Sequence, residues 1–518
     1  MQGKKKFTEK LFTHFQLSDR VPEDNFYRRL KNVLNLQWLY KATRQYYGTE
    51  GQQSIDPVVF FKLMLIGYLE NLGSDRRIIN TASMRLDMLF FIGYDIDEPL
   101  PWHSTVSRTR QLYGEELFKQ LFKEVLKQCI DKGMVGGRRQ VMDSVAVKAN
   151  ASMDSLTEKE ILDDSEAYAD ELKNEEEQTD NDQETQTVSA TRYKAVELHH
   201  QWKSKAYKDM PKGKSLRTDG RSRPKFVSNH THYSTTDADA RVSVKPGRPR
   251  QLNYTAQVSV DRAHHVITQI QADHADKKDS QCLPSLLNST IENLKQEGLI
   301  VEEVYADAGY SSGEALKALE ENNIKGYIPN FGQYKPSREG FTYDKENDRY
   351  VCSQGKYLPF KKITTTSLGY KMKVYRSSSK DCGKCALRSV CIGKSDFKKI
   401  DDSIDKPYYD RMHVRLQSVN REKIRQLRSS TVEPVLGTLV NYLAMRRVNT
   451  RGIKQAAKCI LMSAIAYNLK KLLKWQQRRT QAAVMTMKKA EKCLCSFICM
   501  LQHFIDPYND RQFIFLLS

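Results

Sequence analysis

The sequence predicts an α/β protein: a mixed sheet flanked by helices, preceded by an all-α N-terminal region and interrupted by a cysteine-containing insertion. Three observations carry this. From residue 139 to 329 the patterning runs strand, hairpin, helix, strand, helix, strand, the order of a mixed sheet with helices packed on it. Residues 22–134 read as helical throughout. Residues 331–399 are poor in core residues but hold Cys352, Cys382, Cys385 and Cys391. The expected units are 1–135, 136–475 with insertions at 150–250 and 331–400, and a helical tail over 476–518.

In the N-terminal region, Pro57 to Leu69 is apolar nearly all round, which predicts a buried helix. A turn at Asp75–Arg77 and a helical run through Met88–Ile92 follow. Ser104 is the expected N-cap of the next helix, which would project Arg108 and Arg110 from its first turns. A short helix, a turn and a basic second helix suit a DNA-contacting module; an ordinary capped surface helix would look the same. Val141 to Val147 is a short β-branched run with Asp143 at its centre, hence a strand. Residues 252–260 and 265–272 form a hairpin, and Asp279-Ser280 caps a helix to about Gln296. Residues 301–306 make a buried strand ending at Asp307, followed by a helix over 313–322 and a strand near 324–329.

The chain has 518 residues, 39% of them hydrophobic, enough for a large core. Lys and Arg number 83 against 63 Asp and Glu, a net +20, which suits a polyanionic partner, nucleic acid ahead of a membrane. Residues 154–184 hold 14 acids and two lysines, so the rest of the chain is more basic still. That acidic stretch reads as a solvated insertion. The basic stretch after it, 191–250, interleaves Tyr193, Trp202, Tyr207, Phe226 and Tyr233, a mixture suited to phosphate contact and base stacking, or to a solvated loop. The longest greasy run, 493–505, is shorter than the ~18–20 residues of a membrane span. With no secretory signal in view, a soluble cytoplasmic protein is expected. Ten cysteines in so long a chain do not make a disulfide scaffold.

Asp143 is either an acid hydrogen-bonded to a neighbouring loop or a metal ligand. Asp307 lies past the carboxyl end of a buried strand at a turn into a helix, where ligand sites of α/β sheets collect and where helix caps also occur. Two such carboxylates on neighbouring strands repel unless a cation or proton lies between them. Oxygen ligands of this kind suit Mg²⁺. A third acid, Glu433, precedes Pro434, which places it near a helix start, paired with a base such as Arg428 or bound to metal. Cys382-x2-Cys385-x5-Cys391, with Cys352 upstream, has the spacing of a structural zinc site; four reduced thiols are the other reading.

The chain resembles the bacterial insertion-sequence transposases of the DDE type, in the group numbered eleven eighty-two. The resemblance covers most of residues 21–475. Its carriers are SIDPVVFFKLMLIGYL and PWHSTVSRTR, VMDSVAVKANAS, STTDADARVSVKPGRPRQLNYTAQVSVD, VYADAGYSS, RSSTVEPVLGTL, MRRVNTRG and AYNLKKL. It implies a ribonuclease-H-like catalytic fold and an acidic triad at Asp143, Asp307 and Glu433 holding two Mg²⁺ ions. It also implies double-stranded DNA as partner, at transposon ends and target, and a homodimer on DNA with no membrane involvement. Relatives often carry a Lys seven residues after the Glu, where Val440 stands, and a Phe where Leu436 stands. Arg446, Arg447 and Arg451 further along are then the candidate DNA contacts, with Arg428. Two rival functions remain at this level: a DNA-binding protein without catalysis, and a nuclease of the same fold that hydrolyses without joining.

Overall fold

The computed structural model describes residues 15–48, 50, 54–158, 229, 232–243, 249–330, 332, 334–366 and 369–479. Most of the acidic and basic insertion, and the tail with Cys493, Cys495 and Cys499, lie outside them.

The N-terminal region is helical, as its periodicity predicts: α1 (Leu17–Arg20), α2 (Phe26–Val33), α3 (Trp38–Thr43), α4 (Pro57–Leu69), α5 (Asp75–Ser83), α6 (Leu86–Ile92), α7 (His103–Leu112) and α8 (Glu115–Asp131). Asp56 starts α4 by accepting from the Val58 and Val59 amides at 2.6 and 3.2 Å, with Pro57 in the first turn. That helix is buried on nearly every side. Gly67 lets α5 close on it, since a Cβ there would meet Ile78 Cδ1 at 2.4 Å. Two local expectations are corrected. Asp75 to Arg77 open α5 and are not a turn, because Ser74 accepts from the Arg77 amide and caps the helix. Helix α7 begins at His103, with Trp102 and not Ser104 at the N-cap and no side-chain cap.

The central sheet is built on β1 (Arg139–Lys148). β2 (Leu156–Glu158) and β3 (His232–Ser234) form a separate pair. β4 (Arg241–Ser243), β5 (Gln251–Asp261), β6 (Ile267–His274), β7 (Glu303–Tyr305) and β8 (Lys325–Tyr327) join β1 in one sheet. β5 lies antiparallel to β1 and carries β4 and β6 on its other edge; β7 lies parallel to β1 on the opposite side, with β8 parallel beyond it. The β5–β6 hairpin is the one the alternation predicts. The order β6-β5-β1-β7-β8 puts Asp143 near the middle of the sheet.

Helices α9 (Asp279–Lys295), α10 (Gly313–Glu321), α11 (Lys406–Gln417), α12 (Arg421–Tyr442) and a last helix over residues 453–479 complete this part. One continuous hydrophobic core runs from Tyr27 through α4, the sheet and α9 to Leu473. The N-terminal helices are thus seated on the sheet side of the molecule and not held on a tether. Two terminal assignments differ from expectation. Lys278, not Asp279, is the N-cap of α9, so Asp279 is that helix's first residue. Pro434 sits inside α12, not at its start. Ser430 and Pro434 both lie on the exposed face, so the carbonyl that loses its amide partner meets water.

The cysteine-containing insertion forms its own sheet of β9 (Phe341–Asp344), β10 (Arg349–Cys352), β11 (Tyr357–Thr365), β12 (Lys371–Arg376) and β13 (Lys399–Ser403), each antiparallel to its neighbour. Its buried core is small: Tyr350, Leu358, Val374, Tyr375 and Ile400.

Candidate active site

The strand register brings the first two acids together. Val141 pairs with Tyr305 across the parallel β1–β7 ladder. Asp143 lies two residues further along β1, and Asp307 two residues past the end of β7. Asp307 opens a 3₁₀ turn over Ala308–Tyr310 and accepts from the Gly309 amide at 2.9 Å. Asp143 accepts from the Ser144 amide at 2.8 Å and from Arg428 Nη1 at 3.2 Å. Its side chain is only 16% exposed. Burial pushes the Asp143 carboxyl up to about 6; the Ser144 amide and the Arg428 guanidinium pull down, and the charges of Asp307 and Asp279 push further up.

Asp279, expected from the sequence as a helix cap, lies near enough to these acids for its charge to act on Asp143. It accepts from Gln257 Nε2 at 2.7 Å. Gln257 is fully buried on β5, opposite Ser144, and its carbonyl accepts from the hydroxyl of Tyr310, also fully buried. A Cβ at Gly309 would lie 3.0 Å from Asp307 Oδ1 and 3.5 Å from Asp279 Oδ2. Glycine therefore keeps open a cradle between two carboxylates. The only available signal in the sequence was spacing: an acid at the start of the helix that follows the hairpin.

Glu433 lies on α12, the helix that also carries Arg428. It is exposed on α12, whose inward face is Thr431, Val432, Val435 and Leu439. At roughly 100° per residue it is turned about 140° from Arg428, the residue of that helix that does reach Asp143. Among the described residues no three carboxylate, thiol or imidazole groups are drawn in as a ready-made metal cage. Carboxylates without a cation between them hold apart, so the donor chemistry is the better guide. Asp143 and Asp307 are hard oxygen donors, the ligand type that suits Mg²⁺, and Arg428 is the cation now paired with Asp143.

The expected DNA contacts separate. Arg108, Arg446, Arg447 and Arg451 are exposed. Arg446 and Arg447 donate to Asn441 and Asn150 at 2.9 and 2.8 Å, beside the chain leaving β1. Arg110 is a correction: it is 2% exposed and paired with Asp75, and its carbonyl accepts from Lys458 Nζ at 2.9 Å. Its amphipathic neighbours turn it inward, where it ties α7 to α5 and to the last helix. A basic concavity that the sequence did not single out lies at the hairpin turn. It holds about 210 Å³ and is lined by His264, His265, Lys471, Lys474, Trp475 and Arg478, with no acid in its wall.

Cys352, Cys382, Cys385 and Cys391 line one cavity of about 30 Å³ in the inserted sheet, with Lys356, Arg388 and Lys398. All four are free thiols, partly exposed.

Two family models match the chain. One, described as Transposase domain (DUF772), covers residues 15–112; the other, Transposase DDE domain, covers residues 351–473. Together these matches support an insertion-sequence transposase of the DDE type, the class its motifs resemble. The first spans α1 to α7, including Arg108 and Arg110. The second takes in the four cysteines, Arg428 and Glu433, while Asp143, Asp279 and Asp307 fall between the two. No curated protein matches the chain. No helix among the described residues is long and apolar enough to cross a membrane.

Proposed function

We propose that this transposase binds double-stranded DNA at the terminal inverted repeats of its element, frees the ends by divalent-ion-dependent cleavage and joins them to target DNA. The nearness of Asp143, midway along β1, to Asp307, two residues past the end of the neighbouring β7, in a chain with a transposase DDE match, carries this reading. The strand order, with one antiparallel neighbour of β1 and two parallel strands beyond it, supports a ribonuclease-H-like fold. Divalent ions bound here would supply the charge that stabilises an in-line displacement at phosphorus.

Asp143 and Asp307 would hold them. Arg428, which balances Asp143, is a cation placed to meet a phosphate oxygen beside that acid. Glu433 is the third acid by resemblance; it reaches the pocket only if α12 turns or unwinds near Pro434, where the helix lacks one backbone hydrogen bond. The exposed Arg108, Arg446, Arg447 and Arg451 and the basic concavity suit the DNA backbone. Pairing of two ends favours a dimer on DNA, and the small core of the inserted sheet favours a zinc ion among its four cysteines.

The test is cleavage of DNA in Mg²⁺ or Mn²⁺. Asp143→Asn, Asp307→Asn and Glu433→Gln are each expected to abolish cutting while DNA binding persists. Cleavage retained in Asp143→Asn would discard the assignment. Binding without cleavage in the unaltered protein would instead favour a DNA-binding protein, and hydrolysis without joined products a nuclease.

A further inference from the structure

We infer that Trp102 is a base-contacting residue, the side chain through which the N-terminal helices read DNA sequence and not only its phosphates. The inference rests on the DNA-binding reading proposed above. A single exposed apolar side chain is ordinary on a protein surface. Trp102 has more around it than that. It is 77% exposed, the most exposed aromatic among the described residues. Among those residues no ring or cation packs on its indole, and no protein group accepts from its Nε1. Its backbone is nonetheless fixed. Pro101 precedes it, and its carbonyl accepts from the Thr105 and Val106 amides at 3.0 and 3.3 Å as α7 begins. A rigid ring on an ordered backbone loses little freedom when a flat partner covers it.

The surrounding charge points to what that partner is. His103 Nε2 lies 3.5 Å from Arg76 Nη2, so α5 and α7 present two basic side chains together beside Trp102. Arg77 and Arg108 are exposed on the same two helices. Among the described residues none of Arg76, Arg77 and Arg108 forms an ion pair with an acid. The nearby acids are committed elsewhere. Asp75 is taken inward by Arg110, and Glu70, at the end of α4, is held by Arg85 at 3.2 Å. Burial, then Glu98 and Asp56, raise the Tyr94 hydroxyl, which puts Glu98 of the preceding loop by the start of α4; Arg76 follows that helix's other end. On α7 itself Ser104, Arg108 and Gln111 recur at i, i+4 and i+7 as an exposed stripe. Cations without acids suit phosphates, and a free indole among them suits bases, by stacking at an opened step or against thymine methyls.

Full-length protein is titrated into labelled duplexes, one set copied from the DNA flanking the coding sequence at both ends and one scrambled, with anisotropy read across a salt series. Trp102→Ala is expected to weaken binding to the flanking duplexes about ten-fold, as loss of one stacked base contact does, and to lower their preference over the scrambled one. The melting temperature should hold. The slope of log affinity against log salt should also hold, because the ring displaces no counterions, whereas Arg108→Ala should flatten it. Trp102→Phe, which keeps an aromatic face, should recover most of the affinity. Unchanged affinity and preference in Trp102→Ala would overturn the role of Trp102 and leave the DNA reading in place. So would a flattened slope with preference kept, a lowered melting temperature, or equal binding of both duplexes by the unaltered protein. Failure of the unaltered protein to bind either duplex would overturn the DNA reading and this inference with it.

Discussion

Arg428 Nη1 lies 3.2 Å from Asp143 Oδ2, joining the long helix α12 to the central strand of the sheet. The pair is one cation against several acids. Asp307 and Asp279 add their charge to a site whose burial already disfavours ionised Asp143. A site built this way is short of positive charge, and stability should report it.

The Asp143 carboxyl is raised from an ordinary 3.8 to about 6. For an acid raised on folding, the folded chain holds the proton more tightly. Its stabilisation is full below the unfolded value of 3.8 and is lost as pH climbs through about 6. Asp143→Asn removes that loss. At pH 7.5 the variant is expected to exceed the unaltered protein by about 3 kcal/mol in urea unfolding, with the gap closing by pH 4. Millimolar Mg²⁺ should narrow the gap at pH 7.5 by stabilising only the chain that retains the acid. Equal stability of the two proteins at pH 7.5 without Mg²⁺ would mean that the carboxylate is not charge-stressed.

Arg108 and Arg110 are two residues apart and should behave in opposite ways. Arg110 is buried against Asp75, and Arg108 is exposed on the same helix. Removing one partner of a buried pair strands the other charge, a loss of about 3–5 kcal/mol. Arg110→Ala is therefore expected to lower the melting temperature sharply or give insoluble protein. Arg108→Ala should leave the melting temperature in place and weaken DNA binding. A stable Arg110→Ala protein with selectively weakened DNA binding would restore the surface role.

Much of this was legible in the chain. The apolar run Pro57 to Leu69 and the alternation either side of Asp261 fixed the buried helix and the hairpin, because periodicity reports burial directly. The strand positions of Asp143 and Asp307 followed from the same signal. What was lost depends on rotation about a helix axis, which a short motif does not encode. Arg110 turned inward, while Glu433 turned outward because Pro434 was accommodated within a 22-residue helix whose start lies twelve residues earlier. The nearness of Asp279 to Asp143 was hidden for a different reason: Gln257, the partner of Asp279, is a polar residue inside a strand, and only the sheet register reveals where that amide points.

The inserted sheet buries only Tyr350, Leu358, Val374, Tyr375 and Ile400 among its hydrophobic side chains, and its four cysteines face one cavity. So small a core is usually helped by a metal. Protein purified without chelator is expected to contain close to one zinc per chain by mass spectrometry, and replacing Cys382 and Cys385 with Ser should abolish it. The same change should lower the melting temperature and leave Mn²⁺ binding at the acidic pocket intact. Zinc-free protein of undiminished stability would leave the four residues as reduced thiols.

The concavity at the hairpin turn offers a separate check on how the DNA is held. Lys471, Lys474 and Arg478 recur on one face of the last helix, and His264 and His265 close the opposite wall. His265 takes a left-handed backbone conformation, φ 58°, to enter that wall. Burial, Lys471 and His264 hold its pKa below the ordinary value, as expected beside uncompensated cations. Replacing Lys471, Lys474 and Arg478 together with Glu should weaken duplex DNA binding at least ten-fold at low salt. Each phosphate contact contributes roughly 0.9 to the slope of log affinity against log salt, so losing two or three should flatten it by about 2. Fluorescence anisotropy across a salt series measures both. An unchanged affinity and slope would remove this face from the DNA path and leave Arg108, Arg446, Arg447 and Arg451 to carry it.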